Sequence, residues 1–291
     1  MKEAAMKKHR LQHGLLGLLT ILATAVVTFL IWQVAGPKAQ PIHLRGQVQQ
    51  VKTLRLAAVG DSLTHGVGDE TNNGGYVGLI KGDLESSGVY QVDTSNYGVT
   101  GDTSTQILKR VNAQKKLRTD VEHADILTVT VGGNDLMHVL QKNLLSISTK
   151  DVTSGATTYR RHLTSLLKAL RQLNPKAPVY VFGVYNPFYV YFPNLTAMTT
   201  SVKTWNNTTQ AALGDFDHMY YVDIDSVLTK GANTQANSKA DKKKLESAMS
   251  GSSKNPLIFE SDHFHPNNAG YALMTSQLWK KMQATESTWE K

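Results

Sequence analysis

The sequence contains no cysteine. That absence excludes disulfide staples, thiolate metal sites, a thiol nucleophile and a lipid-modified cysteine. It also lacks a face-sized cluster of one charge. The formal net charge is +8, but the basic residues are dispersed, and only Lys242-Lys243-Lys244 form a run. A nucleic-acid partner is therefore not expected. The lysine run reads as a solvated surface segment, with contact to anionic lipid or cell-wall polymer as the sharper alternative. Internal repeats are absent too. What remains, 41% hydrophobic and 19% charged in 291 residues, suits one globular domain plus an appendage.

The appendage is amino-terminal. Lys2, Lys7, Lys8 and Arg10 stand against Glu3 ahead of an uncharged run from Leu15 to Ala35. Those 21 residues, at 1.5 Å each, span roughly 31 Å as a helix, the thickness of a bilayer's hydrocarbon core. A cleaved signal peptide is the rival reading, but its apolar region is shorter and Gly36-Pro37-Lys38-Ala39 offers no A-x-A-like cleavage site. Trp32 suits an interfacial anchor, and the basic leader predicts a cytoplasmic amino terminus with the remainder outside the cell membrane. The expected organisation is a basic leader over 1–14, a transmembrane anchor over 15–36, a polar linker over 37–52 and a folded domain over 53–291.

Within that domain short apolar runs alternate with helical patterns. Strands are expected at 54–59, 89–95, 126–131, 179–184 and 219–224. Helices are expected near 76–87, 103–117, 153–173, 195–213 and 267–283. Tyr159, Leu163, Leu166, Leu167, Leu170 and Leu173 recur at three- and four-residue spacing, the signature of one buried helix face, and Asn174-Pro175 ends it. Alternating strands and helices predict an α/β protein, a three-layer α/β/α domain on a five-stranded parallel, flavodoxin-like sheet. Ligands of such sheets sit at the strands' carboxyl ends. Residues 228–256 read as a polar surface loop, with a short helix near Lys242–Met249.

Four blocks fall at those ends. Gly60-Asp61-Ser62-Leu63-Thr64-His65-Gly66 follows the first strand and can present a serine hydroxyl on a sharp turn. It is not a G-x-S-x-G elbow, since Thr64 stands where the second glycine belongs. Asn96-Tyr97-Gly98-Val99-Thr100-Gly101-Asp102-Thr103 follows the second strand; its plainer reading is a turn leading into a helix cap. Val131-Gly132-Gly133-Asn134-Asp135 follows the third and offers an amide donor, or simply a turn in which Asp135 caps the next helix. Asp262-His263-Phe264-His265-Pro266 lies near the carboxyl terminus, where Asp and His three residues apart can turn inward together and Pro266 suits the first turn of the last helix.

In order and separation these blocks resemble those of GDSL/SGNH hydrolases over residues 54–285. The resemblance implies an SGNH hydrolase fold and a serine esterase needing no cofactor. Ser62 would be the nucleophile, His265 the base and Asp262 its orienting carboxylate. Ser62, Gly98 and Asn134 would form the oxyanion hole. His263, one residue from Asp262, is the poorer base, and His65 receives no role. Asp262, His263 and His265 lack a clear further partner for metal, so no metal site is expected.

Tyr185-Asn186-Pro187-Phe188-Tyr189-Val190-Tyr191-Phe192 follows the fourth strand. Tyr185, Phe188 and Tyr189 offer an apolar wall for a substrate's acyl chain; packing on the domain body is the alternative. The expected function is hydrolysis of acyl-lipid or lysophospholipid-like esters outside the membrane, the small-molecule or lipid ester being the partner. The alternatives are a deacetylase or acyltransferase acting on extracellular polysaccharide or cell-wall glycan, and a non-catalytic binding module that keeps the fold.

Overall fold

The computed structural model describes residues 2–35, 51–142, 148–190, 196–229 and 255–290. Residues 37–50 of the expected linker and the helix expected near Lys242–Met249 lie outside them, and Lys52, at the end of that linker, already opens the first strand. The chain divides into two compact units, Met1–Gln49 and Gln50–Lys291.

In the first unit, helix α1 (Lys2–Ala35) contains a stretch, Leu16–Val34, of mean hydropathy 2.0 with none of it buried. By length and composition it can cross a membrane or serve as a signal sequence. Thr20, Thr24 and Thr28 return their hydroxyls to carbonyls three and four residues back, which satisfies them inside an apolar helix.

The second unit is built on the five expected strands: β1 (Lys52–Gly60), β2 (Tyr90–Gly98), β3 (Ile126–Thr130), β4 (Val179–Phe182) and β5 (Met219–Val222). All pair in parallel, in the order β2-β1-β3-β4-β5. This is the flavodoxin-like order, which reverses direction between β1 and β3 and opens a crevice there. The register sets Gly60 beside both Gly98 and Thr130, and Thr130 beside Phe182. Four strands therefore end at one level, and the segments following them emerge side by side.

Helices cover both faces. α4 (Ser104–Ala113), α5 (Lys115–His123), α6 (Gly133–Lys142), α7 (Thr149–Leu173) and α8 (Thr196–Leu213) share one apolar core with β1 and β3; Leu163, Leu166, Leu167 and Leu170 of α7 are wholly buried in it. On the other face α3 (Tyr76–Glu85), the short α9 (Asp225–Leu228) and α10 (Asn268–Ala284) bury Ile80, Leu84, Met274 and Leu278. A single-turn α2 (Ser62–His65) follows β1.

Three expectations need correction. The helix expected over 103–117 is two helices, because Gln114 leaves the helical region (φ −90°, ψ 111°) and turns Leu117 and Val121 of α5 into the core. α6 opens at Gly133, and Asp135 does not cap it. Its carboxylate instead takes the Ser104 N–H at 2.9 Å and the Ser104 hydroxyl at 2.6 Å, tying α6 to the start of α4. Pro266 lies ahead of the last helix, whose cap is Asn267, and pairs with Ile258 as an antiparallel bridge.

Candidate active site

The first block turns sharply out of β1. Asp61 caps α2, its Oδ1 accepting the Leu63 N–H at 3.0 Å, so Ser62 opens the helix at 5% exposure. Behind it runs a buried line of hydroxyls. Thr130 Oγ1 donates to Asp61 Oδ1 at 2.7 Å and lies 2.8 Å from Thr64 Oγ1. Thr64 meets the Tyr76 hydroxyl at 3.0 Å, and Tyr76 meets Thr128 at 3.0 Å. Each hydroxyl has one proton. With Asp61 ionised the protons must therefore point in sequence from Thr128 through Tyr76, Thr64 and Thr130 to Asp61. Burial pushes the Asp61 carboxyl above its usual range, partly offset by the bonds from Thr130 and Leu63.

The fourth block supplies the partner. His265 Nε2 lies 2.8 Å from Ser62 Oγ, and its Nδ1 lies 2.6 Å from Asp262 Oδ2. Asp262 Oδ1 accepts the backbone N–H groups of Phe264 (2.9 Å) and His265 (3.0 Å). Burial alone would raise the Asp262 carboxyl, but these bonds outweigh it and hold it below the usual range. An ionised carboxylate only accepts, so Nδ1 carries the ring proton and Nε2 is left to accept from the serine hydroxyl. The three groups thus form one hydrogen-bonded chain able to move a proton off Ser62. His263 is exposed at φ 53°, and the bond to Ser62 belongs to His265. His65 sets Nδ1 3.3 Å from the Gly98 carbonyl.

The second and third blocks meet beside this chain. Asn134 donates through Nδ2 to the Asp102 carbonyl at 2.9 Å, and both Asn134 and Ser62 line one cavity. A primary amide has a second N–H available for a ligand. Gly98, however, already donates its N–H to Asn96 Oδ1 at 2.9 Å. What requires glycine at 98 is packing, because an added Cβ would lie 2.0 Å from the His65 nitrogen. The donor expected from Gly98 is therefore occupied. The sequence reading passed over Gly101. Its φ is +86°, a glycine conformation, and its N–H has no protein acceptor among the described residues. A glycine two residues ahead of the Thr103 helix cap was the available signal.

A family model for GDSL-like lipase/acylhydrolases matches residues 58–273. The chain belongs to the GDSL-like lipase/acylhydrolase family. In keeping with this, it is 30% identical over 229 residues to the uncharacterized protein YpmR of Bacillus subtilis (strain 168), covering 78% of this chain and 81% of that one. It is 26% identical over 140 residues to the spore germination lipase LipC of Bacillus licheniformis, covering 47% and 66%. Among solved structures it resembles the lipase Lip_vut3 from a goat rumen metagenome, with TM-score 0.62 at 21% identity, covering 78% and 96%. It also resembles a mutant of Axe2, an acetyl-xylooligosaccharide esterase from Geobacillus stearothermophilus, with TM-score 0.55 at 15% identity, covering 80% and 96%. At these identities the structural likeness is one of fold. The GDSL family is one of hydrolases.

The aromatic segment after β4 divides in this GDSL-family chain. Tyr185 is buried and lines the cavity at Ser62, while its hydroxyl donates to the Phe264 carbonyl at 2.5 Å. Phe188 packs its ring 6.2 Å from that of Phe264 but does not line the cavity. Tyr189 belongs elsewhere, in a hollow shared with Lys203 and Tyr221. The wall beside Ser62 is completed by Val131, Val184, Pro187 and Phe264, to which the sequence reading gave no role. The recess they line is small, about 40 Å³, and partly open to solvent. Among the described residues no group of three or more His, Asp or Glu side chains is placed to hold a metal ion.

Proposed function

We propose that this hydrolase cleaves carboxylic esters through an acyl-enzyme on Ser62. Ser62 Oγ attacks the ester carbonyl as its proton passes to His265 Nε2. Asp262 holds the ring and stabilises its cationic form, the alcohol departs with that proton, and water releases the acid by the reverse path. The oxyanion would be met by the N–H groups of Ser62 and Gly101 and by the second N–H of the Asn134 amide. Gly101 replaces Gly98 in this role because its N–H is open. One observation carries the reading: the unbroken Ser62–His265–Asp262 chain at 2.8 and 2.6 Å.

For the substrate, the aromatic run suggested an acyl lipid. The cavity supports a short acyl group instead. The recess beside Ser62 is narrow, about 40 Å³, which favours a short acyl group such as acetyl. We therefore favour removal of small acyl groups, with acetylated extracellular polysaccharide as the substrate class. The basic residues at the start of α1, ahead of the apolar stretch Leu16–Val34, support a placement of the catalytic unit outside the membrane. The test is turnover of p-nitrophenyl esters from acetate to dodecanoate by wild type and Ser62→Ala. Wild type should prefer acetate, and Ser62→Ala should lose roughly ten-thousandfold or more. Activity rising with chain length would restore the lipid reading, and retention of activity by Ser62→Ala would remove the mechanism.

A further inference from the structure

Arg110 has a role that neither the family motifs nor the proton path requires. It lies in the last turn of α4, with its side chain 14% exposed, and its guanidinium makes three separate bonds. Nε donates to Asp102 Oδ2 at 2.6 Å, Nη1 to the Tyr97 carbonyl at 3.0 Å and Nη2 to the Gly60 carbonyl at 2.9 Å. Gly60 ends the strand that delivers Ser62. Tyr97 stands near the end of the neighbouring strand. Asp102 follows Gly101, and its carbonyl holds the Asn134 amide at 2.9 Å. One planar cation thus fastens the nucleophile's strand to the loop that carries the proposed oxyanion donors.

Resting on the esterase reading, we propose that Arg110 is a positioning residue that sets the distance between Ser62 and the Gly101–Asn134 donors. A structural ion pair would need only the bond to Asp102. The other two bonds go to backbone carbonyls of β1 and β2, so the fork fixes a spacing between segments. Lysine keeps the charge for Asp102 but, as a point donor, cannot reproduce the fork. Because the strain falls on where developing charge is received, the loss should appear in kcat rather than KM.

The experiment is steady-state hydrolysis of p-nitrophenyl acetate by the full chain carrying Arg110→Lys, alone and with Asn134→Ala. Arg110→Lys should lower kcat by about 10- to 100-fold, the penalty of roughly an ångström of misplacement, with KM within about threefold. In the Asn134→Ala background the same change should cost several-fold less than in wild type, since one of the two donors it positions is gone. Breaking a buried pair can unfold a protein. Asp102→Asn combined with Arg110→Gln therefore serves as a second variant, removing both charges and leaving no fork, and its kcat should fall equally. Unchanged kcat in Arg110→Lys, a loss confined to KM, or the same fold-loss with and without Asn134 would each overturn the proposal. A wild type with no Ser62-dependent turnover would instead overturn the esterase reading beneath it.

Discussion

Ser62 sits on a turn whose supports are buried in the sheet, whereas Asp262 and His265 ride on a loop near the surface, their side chains 33% and 13% exposed. The serine side is fixed by Thr130, Thr64, Tyr76 and Thr128, hydroxyls that belong to strands and helices of the core. The histidine side is fixed by a few stays. The Phe259 N–H donates to the His265 carbonyl at 2.7 Å, Tyr185 donates to the Phe264 carbonyl, and Asn267 Nδ2 donates to the Pro256 carbonyl at 2.9 Å. Changes on the serine side should therefore reach global stability. Changes on the histidine side should reach turnover first, because few apolar contacts depend on that loop.

Asp262→Asn breaks the comparison hardest. It keeps the loop's shape but inverts the tautomer, so kcat should fall by about ten-thousandfold while the thermal midpoint stays close to wild type; parallel activity assays and melts check both. Thr130→Val is the counterpart in the core. It leaves Asp61 and Thr64 short of a partner and should cost about 1–3 kcal/mol in denaturant unfolding. Tyr185→Phe removes one stay from the loop, leaving the Phe264 carbonyl unpaired. About 1 kcal/mol of misalignment, roughly fivefold in kcat, should appear with little change in the unfolding midpoint.

The smallest effect is in pH dependence, where the two sides have opposite signs. Asp262 is held low, so its stabilisation is present above its unfolded value of 3.8 and is lost as pH falls through its folded value. Asp61 is held high, so its contribution is most favourable below 3.8 and is lost as pH rises through its folded value. In melts from pH 3 to 7, Asp61→Asn should gain on wild type as the pH increases. A constant gap would show that Asp61 is not a strained carboxylate.

Much of this was legible in the sequence. β1, β3, β4 and β5 were readable as compact apolar runs, whereas the edge strand β2 buries only Tyr90 and Val92, and the leucine face of α7 fixed its period. The blocks announced themselves by placing Ser62, Asn134 and His265 at strand ends or a helix start. The failures are tertiary. Gln114 is a good helix former, and only the demand that Leu117 and Val121 reach the core breaks the helix there. Asp135 looked like a local cap, but its partner Ser104 is 31 residues away. Gly98 and Gly101 are indistinguishable as letters. One is glycine because His65 presses on it, the other because its φ is positive. Tyr189 shares an aromatic run with Tyr185, yet the turn after β4 sends it to another hollow.

The central claim is that Ser62 is activated by His265 and no other residue. Intact-mass analysis after incubation of the full chain with an organophosphonate tests it directly. The prediction is a single adduct, mapped to Ser62, that forms on wild type and is all but lost in His265→Ala. An adduct on a different residue, or one forming on Ser62 equally fast without His265, would contradict it.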